Sequence, residues 1–200
     1  MVQQHDGWKK RHLNKRVNGK IIGGLVLMLS ILMLVSACSQ SSASQSSPQR
    51  VTLQSSWAEY YTSLKDLKQH STIVVRGTIS QFALAVKPAD GPVYTPVSVS
   101  ITRVLWNPHN QTAPTSVSLV QTGGMYNNSI YQVDDDPLFQ TGEQVILFLK
   151  EYQPGQFRII GGPTGRFKIV NSTATPIVSD GVKLPTTTNE AQFASDLQNA

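Results

Sequence analysis

Few residues in this chain have the types and spacing that chemistry needs. There is a single cysteine, Cys38, and four histidines, of which only His70 and His109 follow it. A zinc site wants three or four ligands, and neither histidine has a Glu or His at ligand spacing, so both read as surface groups. No Gly-x-Ser-x-Gly raises a serine on a nucleophile elbow. Pro163 removes a donor from Gly161-Gly162-Pro163-Thr164-Gly165, which therefore reads as a hairpin turn and not a phosphate cradle. The densest polar cluster is Asp134-Asp135-Asp136. Three carboxylates in a loop suit Ca²⁺, which takes six to eight oxygens, but no spaced Asp-x-Asp-x-Asp-Gly loop is present. A solvated acidic turn is the expectation, with these residues a weak calcium candidate and no metal or other cofactor required.

The segment that ends at Cys38 has three zones. Met1 to Lys20 carries six basic residues against one acid, Asp6; Ile21 to Val35 is an apolar run broken by Gly23, Gly24 and Ser30; and small residues Ser36 and Ala37 precede the cysteine. A basic start, a short apolar core and a small-residue cleavage site make an export signal. The alternative is an uncleaved anchor, but a spanning helix wants about twenty apolar residues and this run is shorter.

Leu34-Val35-Ser36-Ala37-Cys38 resembles the lipobox of bacterial lipoproteins. The resemblance implies cleavage before Cys38, diacylglycerol on its thiol and an N-acyl lipid on its amine as a covalent anchor. Residues 1–37 are then a signal peptide and residues 38–50 a lipidated cysteine with a Ser-rich tether. Residues 51–200 form one β-rich domain facing outside the cytoplasm on the cell membrane. Ser39 to Gln49 holds no large apolar residue and spans about 18 Å r.m.s. as a flexible chain.

Processing changes the meaning of the charge. Of seventeen basic and twelve acidic residues, which give the formal +5, six basic and one acidic precede Cys38, leaving eleven of each. The mature chain is near neutral, so no basic footprint for nucleic acid survives.

The domain is large enough to fold without disulfides. Ser56 and Glu59 form a capping-box pattern, and Trp57, Tyr60, Tyr61, Leu64 and Leu67 recur at helical spacing, predicting an amphipathic helix over 56–69. From Thr72 the period changes to two. Strands are predicted over Thr72 to Phe82, with Gly77 marking a bulge, and along Val97, Val99, Ile101 and Leu105. Val117 and Leu119, Phe157 to Ile160 and Arg166 to Val170 give shorter ones. Val145-Ile146-Leu147-Phe148-Leu149 reads as a central strand buried on both sides. Asp180-Gly181 is placed for a hairpin. Thr187 and Glu190 make a second capping box, with Phe193 and Leu197 one turn apart in a short final helix. The fold class is mainly β: a small OB-like barrel or sandwich with an N-terminal amphipathic helix and a short C-terminal helix.

The order of helix, Val74-Val75-Arg76-Gly77-Thr78-Ile79, a strand ending Arg103-Val104-Leu105-Trp106, a valine strand and Gly142-Glu143-Gln144-Val145-Ile146-Leu147-Phe148-Leu149 resembles the netrin-module and metalloproteinase-inhibitor group. That resemblance implies a five-stranded OB-type barrel over 72–170. The group's inhibitory use of a processed N-terminal cysteine does not carry over, because Cys38 is acylated and lies beyond the tether.

Tyr94, Trp106, Tyr126 and Tyr131, with the long polar loop 123–128, are the candidates for a binding face, since OB-type barrels bind along one sheet face. The expected function is a non-enzymatic binding or adaptor module, held by its lipid and facing an envelope protein, peptide or glycan. The alternative is an envelope-associated hydrolase whose site is assembled from dispersed residues.

Overall fold

Among the described residues, ten strands and two helices follow in order: β1 (Gln49–Leu53), α1 (Leu64–His70), β2 (Ile73–Phe82), β3 (Tyr94–Trp106), β4 (Ser116–Tyr126), β5 (Ser129–Val133), β6 (Gln144–Gln153), β7 (Gln156–Ile159), β8 (Arg166–Val170), β9 (Thr173–Pro176), β10 (Thr188–Asn189) and α2 (Glu190–Asn199). They come from a computed structural model that describes residues 47–54, 56–109, 112–178 and 188–200. The export signal, Cys38, most of the tether and the Asp180-Gly181 turn lie outside the described residues.

Five strands close on themselves. β2 pairs antiparallel with β3 and β6, β3 with β4, and β6 with β7, while β7 meets β4 in parallel at Ser118 and Gln156. The ring β2-β3-β4-β7-β6, with that one parallel contact, is a closed OB-like barrel, the first of the two architectures, barrel or sandwich, that the strand pattern allows. β2 needs its bulge at Gly77, where the register to β3 shifts. A Cβ there would lie 2.8 Å from the Ser100 carbonyl oxygen, so the bend is open only to glycine.

β6 is buried on both faces, as its unbroken apolar run predicts. Val145, Leu147 and Leu149 point into the barrel with Val75, Ile79, Val97, Val99, Val117 and Leu119. Ile146 and Phe148 point the other way, into a second core with Val74, Leu67, Phe167, Phe193 and Leu197. That second core exists because β8 takes the edge of β6 opposite β2, and β9 and β10 extend the sheet from it. The two helices cover the apolar face that results.

Several local expectations are corrected. The first helix is confined to Leu64–His70, capped by Ser63, whose Oγ accepts from the Asp66 N–H at 3.1 Å. Trp57 and Tyr61 are aromatics on irregular chain, and their rings lie on Gly162 and Gly161. Those glycines do not turn a hairpin: β7 and β8 pair successively along β6, and Gly162–Gly165 is a 3-10 turn between them. Residues 123–128 are not a polar loop. Asn127 and Asn128, both at positive φ, form the two-residue turn of a β4–β5 hairpin, as Asn171-Ser172 does for β8 and β9. The final helix caps on Asn189, whose side chain accepts from the Ala191 N–H, and buries Phe193 and Leu197 fully.

Candidate functional site: an apolar groove at one barrel mouth

The four candidate aromatics do not share one face. Tyr94 opens β3 and Trp106 closes it twelve residues later, which separates them by about 40 Å of extended strand. Trp106 packs against the core beneath the helices. Tyr126 and Tyr131 fall on one face of the β4–β5 hairpin, and Lys87 Nζ lies 5.7 Å from the centroid of the Tyr131 ring.

A different set of residues forms a groove of about 340 Å³ at this end of the barrel. The chain leaving β2 provides Phe82, Leu84 and Ala85 as one wall, and Gly124 and Met125 of β4 provide the other. Leu138 and Phe139 complete the floor. Leu84 is 89% exposed, the most of any large hydrophobic among the described residues, and Met125 is 52% exposed. Gly124, at φ +131, makes the groove possible: a Cβ on it would run into Thr95 Oγ1 and close on Ala85.

Two polar atoms of the groove are engaged within the barrel. Thr95 Oγ1 donates to the Gly123 carbonyl at 2.6 Å, and Gln121 Oε1 accepts from the Phe139 N–H at 2.6 Å. The lining carries no titratable side chain, so what it offers is apolar contact.

Behind the floor lies the acidic cluster singled out by sequence, with a different role. Arg166, on β8 and 2% exposed, donates from Nη1 to Asp136 Oδ1 at 3.2 Å and to the Pro137 carbonyl at 2.6 Å, and from Nη2 to Glu143 Oε1 at 2.9 Å. Its guanidinium sits 3.6 Å from the centroid of the Phe139 ring. Glu143 Oε2 in turn accepts from the Gln140 N–H at 3.0 Å. The arginine thereby pins the 134–143 segment, which supplies the groove floor. Burial pushes the Asp136 carboxyl above its ordinary range, against the lowering effect of Arg166.

Asp135 is turned outward, where its Oδ2 accepts from Trp57 Nε1 at 2.8 Å, and Asp134 is exposed. The three carboxylates therefore point to three different partners or surroundings. Among the described residues, no three His, Cys, Asp or Glu are grouped to hold a metal ion.

The two histidines lie away from the groove. His70 ends α1, with Nδ1 2.8 Å from the Asp66 carbonyl and its ring 4.8 Å from that of Tyr61. His109 is exposed in the turn after β3. Near Tyr61, Arg158 holds the Glu59 carboxyl below its usual range through a 2.8 Å hydrogen bond. Burial, with Glu59 beside it, raises the Tyr61 phenol.

Sequence reasoning missed the groove because its members come from four stretches of chain. Leu84 was the one available signal: with Ala83, Ala85 and Val86 it carries an apolar stretch past the end of β2 without belonging to any strand. Comparison with protein-family models and with curated proteins finds no significant match. Among the described residues, no helix is long and apolar enough to cross a membrane.

Proposed function

We propose that the chain is a lipid-anchored, extracytoplasmic binding module, tethered through Cys38 and using the groove at the barrel mouth to hold an apolar partner surface without catalysis. The observation that carries this reading is the exposed pair Leu84 and Met125 across a groove whose lining is mainly apolar. A glycan would require many donors and acceptors, and Thr95 and Gln121 are the only polar side chains of this lining. An apolar surface needs only shape and area. The pinned floor supports binding as well, since a preformed groove costs little ordering when it is filled.

Two measurements test the reading. Mass spectrometry of the mature N-terminus should find Cys38 bearing a diacylglyceryl group and an N-acyl chain; a free thiol removes the anchor. A diazirine-bearing residue at position 84 in intact cells should give adducts, to protein or to lipid, on irradiation, and the same probe at Tyr152 should not. No adduct at 84, or equal yields at both positions, overturns the groove as the binding site.

A further inference from the structure

We infer that the partner of this groove is the lipid surface to which the chain is tethered, so that the barrel docks mouth-first on its own membrane. The inference rests on the lipid-anchor reading and adds an orientation and an occupant to it.

The orientation follows from where the tether enters the domain. β1 pairs in parallel with β5, with Gln49 opposite Ser129, and the Gln49 N–H donates to the Asn128 carbonyl at 3.2 Å. The tether therefore meets the domain at the tip of the β4–β5 hairpin. Cys38 precedes Gln49 by only eleven positions in the sequence, so this tip is the part of the domain nearest along the chain to an acylated Cys38. The opposite end of the barrel is remote. Tyr152 lies there by the β6–β7 turn, where Gln156 pairs with Ser118, and Ser118 is about 26 Å along β4 from Tyr126.

The side chains at the near end suit a lipid interface. Met125, Ile130 and Arg50 align in one row across β4, β5 and β1 and so share a face. Met125 lines the groove with Leu84, and the β2–β3 connection is held at this level by the Val86–Tyr94 pairing and the Gly123 N–H to Val93 bond. Arg50 lies on one face of the hairpin and Lys87, above Tyr131, on the other; both are exposed. Asp90 is the acid of the same connection. Two flanking cations with apolar side chains between them match anionic headgroups over acyl chains. Tyr126 and Tyr131 have the amphipathic rings favoured at that depth.

The test exploits the lone cysteine. With Cys38 acylated, Leu84→Cys, Met125→Cys and Tyr152→Cys each give a single labelling site for bimane on the full-length mature lipoprotein. The labelled protein is reconstituted in vesicles of phosphatidylcholine with 30% phosphatidylglycerol, which contain brominated acyl chains as quencher. Positions 84 and 125 should be strongly quenched and position 152 hardly at all. Neutralising Arg50 or Lys87 to Gln should each weaken docking about fivefold, the scale for one basic residue near an anionic surface. Equal quenching at 84 and 152 in protein that co-floats with the vesicles overturns the docking alone. Protein that does not co-float overturns the anchor, and the docking with it.

Discussion

The two faces of β2 and β6 are lined differently, and the difference separates what is structural in this molecule from what is free to bind. The residues of β2 and β6 that face the barrel are aliphatic, Val75, Ile79, Val145, Leu147 and Leu149, with Phe139 and Phe157 joining that core from outside these two strands. The other face is built on three rings: Phe167 and Phe193 at 4.8 Å, with Phe148 at 5.9 and 6.4 Å from them, all in tilted or edge-on contact. β-branched and aliphatic residues suit strands that curve onto one another. The gap between a sheet and two helices needs wider side chains to fill it. The helix-covered face is sealed by α1 and α2, whereas the barrel is closed around its circumference and open at its mouth. Apolar residues are spent on packing in one place and left at the surface in the other.

The largest break in this contrast is expected at Phe167, which touches both other rings. Phe167→Ala should cost about 4 kcal/mol, read from urea unfolding, and a loss as small as that of a surface substitution would mean that the second core is not a structural core. Arg166 comes next. Arg166→Met leaves Asp136 and Glu143 buried without their cation and should cost about 3 kcal/mol. Because the same residue pins the groove floor, the Phe139 amide, which donates to Gln121 Oε1, should lose hydrogen-exchange protection. Protection that survives in a destabilised variant would show that the floor is held by something else.

Gly162→Ala should cost about 2 kcal/mol, since φ is +55 and the new Cβ would collide with the Trp57 ring. The Trp57 emission should shift red as the ring is displaced. A variant with unchanged stability and emission would refute the packing of the 56–61 segment on this turn.

The Asp136 carboxyl sharpens the comparison by pH. Its pKa is raised in the fold, so the folded state holds the proton more tightly than the unfolded chain. The stability it contributes is fully present below the unfolded pKa and is lost as pH rises through the folded value. Asp136→Asn should remove that loss, and its melting temperature relative to the parent should climb between acid and neutral pH. A difference independent of pH would contradict the assignment.

The smallest effect is expected at the groove. Leu84→Ser should change stability by no more than about 0.5 kcal/mol, because an exposed side chain has no packing to lose. A larger loss would make Leu84 part of the core and end its candidacy as a contact residue.

Sequence reading recovered those elements whose signal is local and unopposed. The alternation in β3, the doubly buried run of β6, the bulge at Gly77 and the docked pair Phe193 and Leu197 are all written in single stretches of chain. β1 was invisible, because Gln49–Leu53 is short, largely exposed and held only by backbone bonds to β5. The stripe from Trp57 to Tyr61 looked helical because three and four residue spacings also suit an irregular segment laid across a glycine turn.

The amino-acid sequence alone determines the mainly β class and the strand periods. It also sets the neutral charge of the chain after Cys38 and the apolar run that lies between two cores. These depend on which side chains alternate, and alternation is a property of neighbours in the chain. Only the tertiary structure decided the closure of β4 on β7, the engagement of Asp136 and Glu143 by Arg166, and the meeting of Leu84 with Met125. Each of those joins residues tens of positions apart, and such contacts are fixed by the closure of the barrel and not by any local pattern.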